Sequence, residues 1–252
     1  MYKGERKQEI MDILNETGYA TVEFLSKKLH ISPSSIRRDL TDLERRGEVV
    51  RSYGGVELVD RSHKNIPFAI RTHESEAEKK RIALSAAKLV NEGDVVFVDG
   101  SSTAFFLFEE LSKIKGITIV TNSIDGLSFL SNYQLRVIST GGIISNDNRS
   151  VLVGHAVRAS FEAIHADICF FSAQSLNEEG VATDPYLEEI PLRMAMCKNS
   201  KKRVLLCDSK KLGKTSIYHQ CTLGEVDFVI CDEDISKIYS EKFPNTEFIT
   251  AK

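Results

Sequence analysis

Apolar positions along the first 58 residues recur at helical spacing three times and then alternate. Ile10, Ile13 and Leu14 mark one face of a helix over about residues 3–16, with Gly18 just past its end. Val22, Leu25 and Leu29 sit at i, i+3 and i+7 behind Thr21, a residue suited to cap a second helix. His30-Ile31 makes the turn, Ser32 caps a third helix, and Pro33 stands at its first position, where a missing N–H costs nothing. Gly47 ends that helix. Val49–Tyr53, Gly54-Gly55 and Val56–Leu58 then read as a hairpin. Three short helices followed by a two-stranded wing predict a winged helix-turn-helix over residues 1–58.

After a polar connector at residues 59–73 the pattern changes. A helix carrying Ile82, Ala83, Ala86, Ala87 and Val90 leads to Gly93-Asp94. Six short β-rich runs then alternate with helical segments: 95–98, 117–120, 135–138, 168–171, 204–207 and 228–231. Strands alternating with helices predict an α/β domain over residues 74–252, built on a mostly parallel sheet with helices on its faces. The 252-residue length fits a small module joined to a larger one.

On the third helix the polar positions matter most. With Ile36 at zero, Leu40 and Leu43 share its face, while Ser34, Arg38, Thr41 and Arg45 fall at about 140–200° and Arg37 at about 100°. One side is core and the other a stripe of hydroxyls and guanidiniums. Arginine can pair bidentately with guanine or clamp phosphate, and Ser and Thr reach bases or phosphates. Ser34, Ser35, Arg37, Arg38, Thr41 and, on the wing, Arg51 are therefore the candidate contacts to double-stranded DNA. A solvated helix face and a protein-docking winged helix are the competing readings, and a docking helix has no need of the outward stripe. Charge qualifies the picture. The chain carries a formal −3, and residues 1–60 hold 10 Lys and Arg against 11 Asp and Glu, so binding must rest on a local cluster.

In the larger domain three strand ends share a design. Residues 95–98 run into Asp99-Gly100-Ser101-Ser102-Thr103, residues 117–120 into Thr121-Asn122-Ser123, and residues 135–139 into Thr140-Gly141-Gly142. The first two open helices, whose free N–H groups favour anions, and glycine lets a ligand come close. Such turns gather at the carboxyl edge of an open sheet, where ligands bind. A fourth turn, Asp208-Ser209-Lys210-Lys211, adds cations. Structural hydroxyl caps are the alternative for each turn alone; together the turns predict a phosphate-bearing, hydroxyl-rich ligand.

The run Ile31-Ser32-Pro33-Ser34-Ser35-Ile36-Arg37-Arg38-Asp39-Leu40, followed by Leu43-Glu44, Gly47, Arg51 and Gly54-Gly55, resembles the signature of the DeoR family of bacterial regulators. The resemblance continues in order through Glu78-Lys79, Asp99–Thr103, Thr121-Asn122-Ser123, Gly141-Gly142, Gly154, Gly180-Val181, Asp184 and Asp208-Ser209-Lys210, nearly the full length. It implies a sensor domain similar to the ribose-5-phosphate isomerase fold, a sugar phosphate that relieves repression, and effector contacts at Asp99, Ser101, Ser102, Thr103, Thr121, Asn122, Gly141, Gly142 and Lys210. The chain departs from the family in two places. Asp99-Gly100-Ser101-Ser102-Thr103 displaces the glycine of the usual D-S-G-T-T. Pro191 and Arg193 stand where an acidic residue and a lysine are common, leaving Glu188 and Glu189 as the nearest carboxylates.

The expected function is thus a DNA-binding transcriptional regulator, a repressor of carbohydrate-metabolism genes acting as a homodimer or homotetramer. The alternative is an isomerase-like enzyme with an appended DNA-binding module, drawing acid-base groups from Asp99, Glu188 or Glu189, and Lys210. No cofactor or metal site is expected. His155 reads as a capping or surface residue, and the five cysteines, with no C-x-x-C pair, read as reduced thiols. Without a signal peptide or an apolar run long enough to span a membrane, the expected compartment is the cytoplasm.

Overall fold

The computed structural model describes residues 3–17, 19–45, 48–52, 55–58 and 68–252. Two compact units divide the chain between residues 71 and 72.

In the first unit, helices α1 (Lys3–Thr17), α2 (Val22–Leu29) and α3 (Pro33–Arg45) enclose Ile10, Leu14, Leu25, Ile36, Leu40 and Leu43, all fully buried. Thr21 caps α2, its Oγ1 accepting from the N–H of Phe24 at 3.1 Å, and His30 closes it in the left-handed region at φ 54°. The wing is present as β2 (Val49–Ser52) against β3 (Gly55–Leu58), antiparallel, with Arg51 opposite Val56. Gly47, Tyr53 and Gly54, which the sequence places at the helix end and the turn, lie outside the described residues, as does Arg46. A third strand, β1 (Tyr19–Thr21), escapes the sequence pattern and pairs with β3. Gly55 leaves room for the Tyr19 ring, which a Cβ at residue 55 would push aside. Of the expected connector, residues 59–67 lie outside the described residues, and the rest forms a short helix, α4 (Phe68–His73).

The second unit is a three-layer α/β fold. Strands β4 (Val95–Val98), β5 (Thr118–Thr121), β6 (Arg136–Ser139), β9 (Ala166–Ser172), β12 (Ser200–Cys207), β14 (Phe228–Cys231) and β15 (Glu247–Thr250) form one parallel sheet in the order β15-β14-β12-β9-β4-β5-β6. The first six match the expected runs, and β15 is an addition. The near-continuous apolar character of the central strands β4, β9 and β14 follows from burial on both faces, whereas the edge strands β6 and β15 are only partly covered. Val96, Val98, Ile119, Ile168, Phe170, Val204, Leu206 and Ile230 point to the layer of α5 (Glu76–Ala87), α6 (Ser102–Phe105) and α7 (Leu107–Leu111). Phe97, Val120, Cys169, Phe171, Leu205, Cys207, Val229 and Cys231 point to the layer of α9 (His155–Ala163) and α10 (Ile190–Lys198). Each large apolar side chain so buried contributes about 1.5–3 kcal/mol.

Two small antiparallel pieces stand apart from this sheet. The strands β7 (Ile143–Ile144) and β8 (Leu152–Val153) make a hairpin, and β10 (Ser175–Leu176), β11 (Val181–Asp184) and β13 (Tyr218–Thr222) form a three-stranded sheet. All five cysteines are free; burial pushes the thiols of Cys221 and Cys231 up to about 12.

Candidate functional site

Helix α3 divides its residues as its periodicity requires. Ile36, Leu40 and Leu43 are buried, whereas Ser34, Arg37, Arg38 and Arg45 are exposed and Ser35 and Thr41 half-buried. Arg51 is exposed on β2. Among the described residues no hydrogen bond or ion pair engages the guanidiniums of Arg37, Arg38, Arg45 or Arg51. Thr41 is partly occupied, its hydroxyl donating back to the carbonyl of Arg37 at 2.8 Å. The Ser32 hydroxyl lies 3.1 Å from that of Ser34 and donates to that of Ser35, organising the first turn.

One residue of the IRRDL run points the other way. Asp39 is fully buried and receives both Nε and Nη2 of Arg6 on α1, a bidentate pair, while Lys7 donates to Asp42 at 2.9 Å. The two pairs brace α3 against α1. Arg6 thereby gains proton affinity from its hydrogen bonds to Asp39. On the wheel that sets Arg37 and Arg38 outward, Asp39 falls about 60° from Ile36 on the flank of the core face, so the periodicity marks it as inward-facing although its charge suggests otherwise.

In the second unit the polar turns do assemble along one edge of the sheet. Val98 is in register with Thr121, and Thr121 with Ser139, so the turns after β4, β5 and β6 are neighbours. Ser101 and Ser123 cap α6 and α8 (Ile124–Leu130), accepting from the N–H groups of Ala104 at 3.2 Å and Gly126 at 3.0 Å. The Thr121 hydroxyl donates to the Val98 carbonyl at 2.7 Å and ties the two strands. Gly141 and Gly142 are exposed and take positive φ. Asn122 is nearly buried. Its Nδ2 donates to the Leu152 carbonyl at 2.9 Å, which fixes the amide orientation and leaves Oδ1 buried with no hydrogen-bond partner.

The hairpin of residues 143–153 covers part of this edge. Val151 pairs with Ser123, the N–H of Leu152 donates to the Asn122 carbonyl, and that of Ile124 to the Ser150 carbonyl, both at 2.9 Å. Val151 also explains the displaced glycine, since a Cβ on residue 100 would sit 2.1 Å from its Cγ1.

Two cationic side chains missing from the expected set converge on the first turn. The Lys79 ammonium, on α5 and 3% exposed, donates to the Ser102 hydroxyl at 3.3 Å. Lys211 donates to the hydroxyls of Thr103 and Ser172, both at 2.8 Å, with Asp208 at 3.4 Å. Lys210, the expected cation, is exposed on the 3-10 turn Ser209–Lys211 and has no interaction with the site among the described residues.

Arg193 is the other unforeseen member. Its guanidinium is buried and donates to Asp99 Oδ2 at 2.9 Å, Asp184 Oδ2 at 2.9 Å, Gln220 Oε1 at 3.0 Å and Glu189 Oε2 at 2.7 Å. Burial works against its charge, but the carboxylates of Asp184, Glu189 and Asp99 outweigh it and raise its pKa above the ordinary guanidinium value. Asp99 is thus largely engaged by the protein. Oδ1 accepts from the N–H and hydroxyl of Ser101 at 3.1 and 2.6 Å, and Oδ2 from Arg193 and, at 3.3 Å, the N–H of Ser172. Arg193 stands out in the sequence as a departure from the family pattern, but only Glu189 lies one turn away on its own helix; Asp99, Asp184 and Gln220 come from other elements.

Residues 6–62 match the DeoR-like helix-turn-helix domain, and residues 74–233 match the DeoR C terminal sensor domain. The HTH-type transcriptional regulator GolR of Listeria innocua is 34% identical over 244 residues, covering 96% of each chain. The lactose phosphotransferase system repressor of Streptococcus mutans is 31% identical over 240 residues, covering 92% of this chain and 93% of its own. The solved structure of ribose 5-phosphate isomerase A from Methanocaldococcus jannaschii aligns over 54% of each chain at 19% identity with a TM-score of 0.41. The relatives are named as regulators, not enzymes, and their likeness spans both units. The chain belongs to the DeoR family: it is a transcriptional regulator in which a winged helix-turn-helix precedes an α/β sensor domain.

Proposed function

We propose that this regulator is a repressor of carbohydrate-metabolism genes that holds operator DNA through Ser34, Ser35, Arg37, Arg38, Thr41 and Arg51 and releases it when a phosphorylated sugar binds the C-terminal unit. The domains are a DNA-binding module over residues 1–58, a connector over 59–73 and a sensor over 74–252. The observation that carries the effector reading is the convergence of Lys79 and Lys211 on the adjacent hydroxyls of Ser102 and Thr103. Two ammonium groups at one strand end suit a phosphate dianion better than a neutral sugar. Lys211 takes the role expected of Lys210. The Oδ1 of Asn122, a buried acceptor in want of a donor, suits a sugar hydroxyl, and Thr121, Gly141 and Gly142 border the same edge. Asp99, held by Ser101, Ser172 and Arg193, shapes the turn.

A specific DNA reader of this size works on two-fold-related half-sites, so the chain acts as a homodimer or homotetramer. No described helix is long and apolar enough to cross a membrane, in keeping with a regulator acting in the cytoplasm. The isomerase alternative is not favoured by the site: Asp99 and Glu189, two of the carboxylates it would need, are bound to Arg193.

The test is thermal shift of the full chain with fructose 1-phosphate, glucose 6-phosphate, ribose 5-phosphate and their unphosphorylated forms, repeated as operator affinity. A phosphorylated sugar should stabilise the sensor and weaken operator binding, and the coupling must be reciprocal. Lys211→Ala should weaken that response by tenfold or more and Lys210→Ala by far less. Response to no phosphorylated sugar, or equal response in both variants, sinks this assignment.

A further inference from the structure

We propose that Arg193 is a positioning residue that wires the Asp99–Thr103 turn to the hairpin of residues 143–153, so that occupancy of the turn is felt at the hairpin. The purpose of the wiring rests on the effector reading above; its first test does not.

The connection is continuous and almost entirely buried. From the turn, Ser101 donates to Asp99, and Arg193 Nε donates to Asp99 Oδ2 at 2.9 Å. From Arg193, Nη2 donates to Glu189 Oε2 at 2.7 Å. From the hairpin, Asn148 Nδ2 donates to the other oxygen, Glu189 Oε1, at 2.8 Å. Asn148, Glu189, Arg193 and Asp99 are each 5% exposed or less. A side branch closes a ring: Nη1 donates to Gln220, Gln220 Nε2 donates to the Ser172 carbonyl at 3.2 Å, and the Ser172 N–H returns to Asp99. Lys211 enters the ring at the Ser172 hydroxyl.

Two physical features make this a linkage rather than a set of local bonds. Arg193 is one cation among three carboxylates, each 2–3% exposed, so every carboxylate competes for the same guanidinium in a medium that screens poorly. The guanidinium is also a rigid planar fork. It cannot follow Asp99 at Nε without turning Nη1 and Nη2 away from Asp184, Gln220 and Glu189. A ligand that draws Asp99, Ser172 or Lys211 must therefore shift the partner of Asn148. At the far end the hairpin carries Ile143, 72% exposed, and Ile144, 44% exposed, and grips the next strand end through Asn122 and Leu152.

The experiment is site-resolved amide exchange on the full chain, without ligand, comparing wild type with Asn148→Ala. The substitution lies in the hairpin and is read at the turn. The N–H groups of Ser101 and Ser172 should exchange about three- to tenfold faster, the factor set by loosening one charge-assisted hydrogen bond, while those of Val96 and Ile119 stay unchanged. Faster exchange confined to residues 143–153 would overturn the proposal. Arg193→Lys keeps the charge and loses the fork, and should accelerate exchange at both ends; an effect at one end alone also counts against the wiring. If that variant does not fold, Asn148→Ala decides by itself. The compounds named above, with inorganic phosphate as control, supply the second readout. The tightest binder should slow exchange of the Ser145 and Asn148 N–H groups in wild type and do so at most a third as strongly in Asn148→Ala. If none binds, the effector reading fails, while the ligand-free comparison still rules on the wiring.

Discussion

The two units treat arginine in opposite ways. On α3, Arg37, Arg38 and Arg45 stand exposed, and the charges that need holding, Asp39 and Asp42, are met from α1 by Arg6 and Lys7. In the sensor, Arg193 is buried and outnumbered three to one by carboxylates. The first arrangement leaves a polar face exposed, the face proposed to meet DNA. The second turns polar groups inward and uses them on one another. The contrast teaches that a polar residue at a functional edge is not thereby a ligand contact: its partners decide, and partners from distant segments have no signature in spacing.

The sharpest way to break this contrast is to remove the outnumbered cation. Arg193→Leu leaves Asp99, Asp184 and Glu189 buried without it and should destabilise the second unit by about 3–5 kcal/mol, read by denaturant titration followed within residues 72–252. A loss below 1 kcal/mol would mean that the carboxylates find other partners and that the hub is dispensable.

Next in size is the counterpart in the first unit. Arg6→Ala deprives the fully buried Asp39 of a bidentate donor, and a loss of about 1.5–3 kcal/mol is expected. The cost is smaller than at Arg193 because one carboxylate, not three, is stranded, and because Arg6 lies near solvent. Operator affinity should fall with it, since α3 is held by that pair. Should Arg6→Ala match Arg193→Leu in cost, burial of a carboxylate and not the count of carboxylates sets the cost.

How much could be read beforehand divides along the same line. Six sheet strands, the three helices and the wing followed from periodicity, because a two-sided apolar strand and a one-sided helix each impose a repeat on the sequence. The outward stripe of α3 followed for the same reason. The strand β1 did not, since three residues, Tyr19–Thr21, are too few to show alternation. At the sensor edge the turns were legible as runs of hydroxyls and glycines, yet which lysine faces them was not. Lys210 and Lys211 are neighbours in a 3-10 turn, and the direction of each depends on the exit angle of β12 rather than on its identity. Gly100 shows the same limit: its displacement was visible, but its cause is Val151, fifty-one residues away.

The exposed stripe gives the next test, smaller because it touches binding and not folding. Arg37→Ala or Arg38→Ala should weaken operator binding by about 1–3 kcal/mol each where the side chain pairs with a base, and leave the unfolding midpoint within error of wild type. Gel-shift titrations at fixed salt measure the first quantity and thermal melts the second. Unchanged affinity in both variants would remove α3 as the reader and leave its exposed arginines as an ordinary solvated face.

The smallest effect is expected at the opposite edge of the sensor sheet, where an arginine and a carboxylate meet one for one near water. Arg203 donates through Nε and Nη2 to Asp227, both at 2.9 Å, with the side chains 38% and 34% exposed. Hydrogen bonding from Arg203 holds the Asp227 carboxyl below the usual carboxylate range. A carboxylate depressed in the folded chain stabilises it at any pH above its unfolded value, near 4, and the contribution disappears as pH falls through the lower folded value. Solvent screening at this exposure keeps the contribution under about 1 kcal/mol. Asp227→Asn should therefore lower stability slightly and equally at pH 7 and pH 5.5, and the gap should close below about pH 4, as protonation does to the wild type what the substitution does to the variant. Urea titrations across that range provide the check. A gap that widens toward acid would reverse the sign, and one as large as that of Arg193→Leu would erase the distinction between an exposed pair and a buried, outnumbered guanidinium.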